Sequence, residues 1–396
     1  WGGISLQELP AAEMVSRQPI GWGAYSIQEW VAGDHITLQR NPLYSRAAQG
    51  LPNFDYLVYR FVDDSDQALA ALLAGECDLV DPGAMLESQV DQLAALQADG
   101  QLALITQTAA AWDVLAFGIT SLEPDRPDYF GLAEVRRAIA QCIDRSTLAQ
   151  ALSGGRATPA QSYLPPEHPL YNPEVAQYPY DPQAAAERLQ AAGWIDLDGN
   201  PATPRTAQGV AGVPDGTAFV VDYLVLPDAQ SQAAAQQIQS WLAECGIQAN
   251  LVVQEAQVAL AAGPEGPVFG RQFDLAQIAW VMSVEPMCNL YITNEIPGPY
   301  PEYPLGWGGM NAAGYRSAAY DQACANALAS LADQPNHSQA HFLAQALFAD
   351  ELPVLPLYWH YNLLVTRPDL CGLDPAPLAE GWLANLEQVD YGAGCP

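Results

Sequence analysis

The clearest periodicity in the chain lies between Val135 and Trp194. Val135, Ala138, Ile139, Cys142 and Ile143 recur at i, i+3, i+4, i+7 and i+8, which predicts a helix with one apolar face. Arg136, Arg137 and Gln141 fall off that face. A long loop follows, with Pro159, Pro165, Pro166, Pro169, Pro173 and Pro179 set among Tyr163, Tyr171, Tyr178 and Tyr180. Such a loop is either functional or packed down by its own rings, and packing is expected because Pro and Tyr bury at low entropy cost. The next helix opens on Asp181 as N-cap with Pro182 at its first position, and closes at Gly193.

Other segments follow simpler patterns. His35 to Arg40 alternates as a strand with Ile36 and Leu38 on one face, after a turn at Gly33-Asp34, and places His35 on the strand surface. Residues 54–62 are apolar on both faces, as a central strand would be. A helix at 67–75 and a strand at 77–80 then predict a parallel pair with a helical crossover. A helix at 86–96 and strands at 102–106 and 111–119 follow, with the chain leaving its first domain near Thr108. Residues 218–226, 230–245 and 248–253 form a second strand–helix–strand unit. A strand at 274–280, helices at 319–331 and 337–351 and a long strand at 353–366 complete the pattern, which is that of an α/β protein.

Composition narrows the function. The formal charge is −31, from 45 acids against 14 bases, and every base is Arg. Such a surface repels nucleic acid and anionic lipid, and a general compositional habit explains it more simply than a cationic ligand does. No run of eighteen apolar residues occurs, so nothing is expected to span a membrane.

An ordered set of motifs carries a resemblance. Val135, Arg136, Ala138, Ile139, Ile143, Asp144 and Arg145, followed by Tyr180, Asp181, Pro182, Ala185, Leu189, Ala192, Gly193 and Trp194, resemble the V-R-x-A-I…I-D-R and Y-D-P-x-x-A…A-G-W segments of the family 5 extracellular solute-binding proteins. These are the peptide, nickel and oligosaccharide receptors of bacterial ABC importers. Gly21, Gly23 and Tyr25 match a further segment, where Trp22 and Ala24 depart from the usual Thr and Pro. ALLAGECDLV, and Asn311, Gly314, Tyr315, Tyr320 and Asp321, match two more.

The resemblance implies a periplasmic-binding-protein-like fold of type II: two lobes, mixed sheets and flanking helices. It places part of domain I at 1–108, domain III (the ligand-cleft lobe) at 109–370, and a C-terminal return to domain I at 371–396. Relatives carry a substantial segment before the GxGxY region, so the first part of domain I and all of domain II are expected to be missing. No signal peptide is visible in the chain, which starts at Trp1. The implied function is to capture an oligopeptide or similar small solute between the lobes and deliver it to a membrane permease. The implied protein is exported, periplasmic or lipid-anchored at the cell surface, and a monomer.

An exported chain would allow disulfides, and the expected pairs among the seven cysteines are Cys371 with Cys395 and Cys288 with Cys324. Cys142 is expected to pack as a small buried hydrophobe.

Candidate chemistry is sparse. There is no GxSxG, HExxH or Walker loop, so no catalytic residue is assigned and no cofactor or metal is expected. Asp196, Asp198, Gly199 and Asn200 imitate a calcium loop but lack its later Glu, and read as a polar turn. His337 and His341 have the i, i+4 spacing of paired metal ligands but lack a third, and solvated helix residues are expected.

The resemblance instead directs attention to Trp280 and the loop Val281, Met282, Ser283, Val284, Glu285, Pro286. In peptide-binding relatives an Asp there pairs with the peptide amino group; here Ser283 takes its place, and Glu285 is the nearby carboxylate. Asn289, Trp112, Trp307, Tyr358 and His360 complete the candidate ligand contacts. An oligosaccharide receptor of the same family, and a secreted hydrolase using the same cleft, remain as alternatives.

Overall fold

The computed structural model describes residues 4–395 except 6, 9, 10, 20, 85, 124, 201, 202, 284, 333, 374–384, 393 and 394. The chain divides into two units, residues 1–107 with 362–396, and residues 108–361. The return to the first unit thus falls at 362, earlier than the expected 371.

The first unit begins with α1 (Glu13–Ser16), β1 (Tyr25–Val31), β2 (His35–Arg40), β3 (Tyr56–Arg60), α2 (Ser65–Leu73), β4 (Leu79–Val80) and α3 (Val90–Ala98). The first three strands form an antiparallel sheet in sequence order, with Gly33 (φ 78°) in the predicted hairpin turn. β3 is therefore an edge strand of that sheet, not a central one. Its Tyr56 and Val58 are more than half exposed, because aromatic and branched side chains suit an extended backbone without requiring burial on both faces. The expected parallel crossover is not formed either. Asp64 caps α2 as N-cap, Gly75 (φ 72°) turns the chain behind it, and β4 pairs antiparallel with residues 365–366 instead of with β3.

The chain passes into the second unit along β5 (Ala103–Phe117), a single strand where two were expected; Gln107 and Thr108 are polar but stay extended within it. It is followed by α4 (Ala133–Cys142), α5 (Arg145–Ser153), α6 (Pro182–Ala191), β6 (Trp194–Ile195), β7 (Thr206–Ala207), β8 (Val220–Val225), α7 (Ala229–Glu244), β9 (Gln248–Val253), α8 (Ala256–Ala259), β10 (Leu275–Val281), α9 (Ala318–Ala329), α10 (Pro335–Glu351) and β11 (Val354–Thr366). Two short strands, β12 (Leu370–Cys371) and β13 (Asp390–Tyr391), then pair in the first unit. The main sheet runs β11-β5-β10-β8-β9, with β10, β8 and β9 parallel and β5 antiparallel to β10. This is the expected mixed sheet, and β8–α7–β9 is the predicted second strand–helix–strand unit. Gly118 ends β5 where its backbone touches that of Phe273; a Cβ there would lie 2.1 Å from the Phe273 carbonyl oxygen.

The helix expected through Ile143 is α4 and ends at Cys142; a further helix, α5, which the periodicity does not predict, follows before the proline-rich loop. Ile143 is extended (φ −102°, ψ 118°) and Asp144 recaps the chain, accepting from the Thr147 amide at 2.9 Å. Asp181 caps α6 as predicted, accepting from the Ala184 amide at 3.0 Å, and Gly193 (φ 95°) follows the helix. The proline-rich loop is packed: Tyr163, Leu164 and Tyr178 are buried, while Tyr180 stays exposed. Asp196 to Asn200 is a polar turn closed by the Gly199 amide on Asp196 Oδ1.

Arg136, expected off the apolar face, is buried. It donates to the carbonyls of Phe130, Gly131, Glu351 and Leu352, the last in the left-handed region (φ 45°) at the end of α10. Arg145 is buried too, donating to the carbonyls of Ala160, Pro356 and Tyr178 and to Gln161 Oε1. Guanidinium forks serve several carbonyls at once, so burial here satisfies backbone oxygens that a loop cannot pair itself. Gln141 is buried as well, accepting from Arg188 Nε at 2.8 Å.

Disulfides join Cys288 to Cys324 and Cys371 to Cys395, as expected. A third joins Cys142 to Cys245 and corrects the reading of Cys142 as a lone buried hydrophobe: the ends of α4 and α7 bring the two sulfurs together. Cys77 remains a thiol.

Helix α10 also departs from expectation. His337, His341 and Gln345 form a buried stripe, not a solvated one. Gln345 donates to the Leu170 carbonyl at 2.7 Å and accepts from the Asn172 amide at 3.0 Å, so the stripe packs against the proline-rich loop. Burial pushes His341 down to about 4, with the nearby His337 and His168 adding to it, so its imidazole is neutral at pH 7.

Asp128 gives the fold a measurable pH signature. Burial raises its carboxyl from 3.8 to about 6, against the opposing pull of the Gly131 amide and Arg136. The native state therefore keeps a proton that the unfolded chain releases, and this contribution is lost as pH rises from about 4 to about 6. Asp128→Asn is expected to be more stable than the parent by about 1–2 kcal/mol at pH 7, after discounting for solvent screening at this half-buried site. The advantage should vanish below about pH 4. Urea titrations of both proteins across that range test it; a difference independent of pH would refute the assignment.

Candidate functional site

Side chains alternate between the two faces of a sheet, and β5 carries the chemistry of both. Trp112 lies on one face, stacked on Trp359 (ring centroids 5.5 Å apart) and edge-on to Phe348 of α10. It is fully buried, so the structure puts this predicted pocket residue in the core.

The next residue, Asp113, projects from the other face and is the hub of a polar cluster that spans four strands. Its Oδ2 accepts from Gln277 Nε2 of β10 at 2.8 Å and from the Tyr358 hydroxyl of β11 at 2.9 Å. Its Oδ1 lies 2.8 Å from His360 Nε2. Gln277 Oε1 accepts in turn from the Tyr223 hydroxyl of β8 at 2.9 Å. Asp113, Gln277, Tyr223 and Tyr358 are buried, and the His360 side chain is one-third exposed. Burial, with the Asp113 charge adding to it, pushes both the Tyr223 and the Tyr358 phenols far above the usual range, so each stays a hydrogen-bond donor. The His360 ring stacks on Tyr358 at 5.6 Å, which fixes its plane.

The strand register sets two exposed apolar residues of β10 on the same face as this cluster. Ala279 lies directly opposite Asp113, and Val281 opposite Ala111; both Ala279 and Val281 are exposed. A small side chain at 279 adds little bulk above the carboxylate. Ala279 and Val281 both project from the same face as Asp113, at the carboxyl end of β10, where open α/β sheets hold their ligands. A shallow groove lined by Glu123, Arg126, Tyr129, Asp222 and Asp274 sits at the other end of these strands. Its only base, Arg126, is already paired with Glu123 at 2.7 Å and Asp274 at 3.2 Å.

The remaining predicted residues are dispersed. Trp280 pairs with Trp112 in register and so projects to the face opposite Asp113, half-buried. Met282 is buried, its amide donating to the Ala110 carbonyl at 2.9 Å. Ser283 is exposed and its hydroxyl donates to the Glu285 carbonyl at 2.7 Å. Val284 lies outside the described residues. Glu285 turns toward α10, its carboxylate 3.8 Å from His341 Nε2. Asn289 sits half-buried in a 3-10 turn (Cys288–Tyr291) that the Cys288–Cys324 disulfide and the Tyr320 hydroxyl, donating to the Cys288 carbonyl at 2.7 Å, hold against α9. Trp307 packs over Gly263, where a Cβ would meet its ring at 2.2 Å.

The structure thus brings Tyr358 and His360 together, and leaves Trp112 and Trp307 elsewhere. Sequence reasoning missed Asp113, Gln277 and Tyr223. The available signal was a single carboxylate in the apolar run AAAWDVLAF.

The comparisons agree with this architecture. The family model described as bacterial extracellular solute-binding proteins, family 5, middle, matches residues 7–299. The probable ABC transporter periplasmic-binding protein SapA of Escherichia coli strain K12 is 26% identical over 381 residues, covering 96% of this chain and 62% of its own length. The oligopeptide-binding protein AppA of Bacillus subtilis is 23% identical, covering 98% of this chain and 65% of its own. The chain therefore spans a little under two thirds of these curated relatives. Among solved structures, HbpA2 from Haemophilus parasuis superposes with a TM-score of 0.74 at 19% identity, covering 98% of this chain and 68% of that one. AppA from Bacillus subtilis in complex with a nonapeptide superposes with a TM-score of 0.63 at 22% identity, covering 99% and 70%. These likenesses establish the periplasmic-binding-protein-like fold. Among the described residues no helix is long and apolar enough to cross a membrane.

Proposed function

The chain belongs to the bacterial extracellular solute-binding proteins, family 5, and from that premise we propose that it captures an oligopeptide or similar small solute for an ABC import system. Members of this family are substrate-binding proteins, and the proposed role is delivery of an unaltered solute to a membrane permease. The proposed protein is exported, at the periplasm or cell surface.

The observation that carries the ligand class is the sheet face that holds Asp113 and His360. It sets two exposed apolar residues of β10, Ala279 and Val281, on the same side as an imidazole edge held by a buried carboxylate. An extended peptide offers both matching features, apolar side chains and backbone hydrogen-bonding groups. Tyr358, Gln277 and Asp113 act as positioning residues for His360. Met282, Ser283 and Asn289 are proposed as outer contacts on the loop after β10.

Differential scanning fluorimetry against panels of peptides and oligosaccharides tests this. A peptide at a hundredfold excess over its Kd should stabilise the protein by about 2.7 kcal/mol and raise Tm accordingly. A shift with oligosaccharides and none with peptides would replace the ligand class. Turnover of a panel member would replace the receptor reading with a hydrolase.

A further inference from the structure

We propose that Glu285, His337 and His341 form a binding site for one divalent transition-metal ion, of which Zn2+ suits the ligand set, and that the ion fastens the loop after β10 to α10. This stands independently of the solute. One ligand atom from each of the three residues lies within 4.8 Å of the others. His337 and His341 stand one turn apart on α10, with ring centroids 4.7 Å apart.

His341 is fully buried, and neither of its ring nitrogens has a hydrogen-bond partner among the described residues. A buried imidazole without a partner is costly, and a metal ion would supply one. His337 is buried and already oriented. Its Nδ1 lies 3.1 Å from the Ser330 carbonyl oxygen, which can only accept, so Nδ1 carries the proton and Nε2 keeps its lone pair. A backbone carbonyl behind a ligating imidazole is the usual outer support of a metal site.

Glu285 supplies the third ligand that the HxxxH spacing lacks in sequence. Its carboxylate is already 3.8 Å from His341 Nε2. Zn2+ binds nitrogen and carboxylate oxygen at about 2.0–2.2 Å, which sets neighbouring tetrahedral ligands roughly 3.3–3.5 Å apart. Rotation of the Glu285 side chain, which is 62% exposed, can bring its carboxylate from 3.8 Å into ligand distance of His341 Nε2 without disturbing the core. The same exposure leaves a fourth position for water. Two imidazoles and one carboxylate favour Zn2+ or a neighbouring first-row ion over Mg2+ or Ca2+, which take all-oxygen sites. An occupied site would tie Glu285, two residues beyond Ser283, to the helix that backs Trp112, and so hold the loop that carries Met282 and Ser283.

The test is calorimetric titration of Zn2+ into chelator-treated protein, with Glu285→Gln and His341→Gln beside it. The expected result is one ion per chain in the parent and at least tenfold weaker binding in each variant. Co2+ loaded in place of Zn2+ should give the visible absorption of a tetrahedral site in the parent and lose it in Glu285→Gln. Glu285 is exposed, so this variant decides the matter even where His341→Gln fails to fold. Substoichiometric binding in the parent, or undiminished binding in Glu285→Gln, would overturn the proposal.

Discussion

Replacing Arg145 by alanine is expected to cost about 3–5 kcal/mol of folding free energy, the loss typical of removing one partner from a buried charged cluster. Burial pushes its guanidinium down to about 10, so it is still charged at pH 7. Its four acceptors come from three places in the chain: Ala160 and Gln161 at the start of the proline-rich loop, Tyr178 near its end, and Pro356 in β11. Truncation would strand three carbonyls in the interior and release both ends of the loop together. Arg145→Lys should recover only part of the loss, because an ammonium is a point donor and cannot reach divergent acceptors. Guanidinium chloride denaturation of the three proteins measures this. A cost below about 1 kcal/mol for the alanine variant would mean that the loop packs without its arginine.

The second large effect is at Asp113. Asp113→Ala should destabilise the protein by about 3 kcal/mol, since it leaves the Gln277 amide and the Tyr358 hydroxyl buried without their acceptor. It should also abolish detectable solute binding by freeing the His360 ring. Asp113→Asn separates the two roles. Its amide oxygen still accepts from Gln277 and Tyr358, so most stability should remain, while loss of the charge beside His360 should weaken binding by about tenfold. Denaturation and ligand titration on the same samples give both numbers. Full affinity in Asp113→Ala would show that the cluster is a structural strut without a part in capture.

Local signals were legible where one local cause dominates. The caps Asp181 and Asp144 act within one helical turn, but only Asp181 stands before a readable apolar pattern; α5, which Asp144 opens, is missing from the sequence reading. The hairpin at Gly33 and the β8–α7–β9 unit follow from turn chemistry and apolar periodicity over a few residues. Two of the three disulfides were anticipated, but the third joins positions 103 residues apart and depends on how α4 meets α7.

The polar interior was not legible, for a physical reason. A buried polar group is stable only if its partners are present, and those partners are remote in sequence. Arg136 and Arg145 look like surface residues until the carbonyls of α10 and β11 arrive to receive them. Asp113 becomes a hub only when β5 is flanked by β10 and β11 in a register that brings Gln277, Tyr358 and His360 to its two oxygens. His337 and His341 have ligand spacing on any helix, but their burial and the approach of Glu285 depend on the loop after β10 folding over α10.

The family, the α/β class, most helices and strands, and the absence of the familiar enzyme motifs can be read from the amino-acid sequence. Those properties rest on ordered motifs and on periodicity within single elements. Which strands are neighbours, and which face each side chain takes, follows from the folded arrangement. That arrangement puts Trp112 in the core, makes Asp113 the hub of the candidate site, and brings two histidines and a glutamate together. Register and burial are set by long-range packing: a shift of one residue along a strand would send each of these side chains to the opposite face.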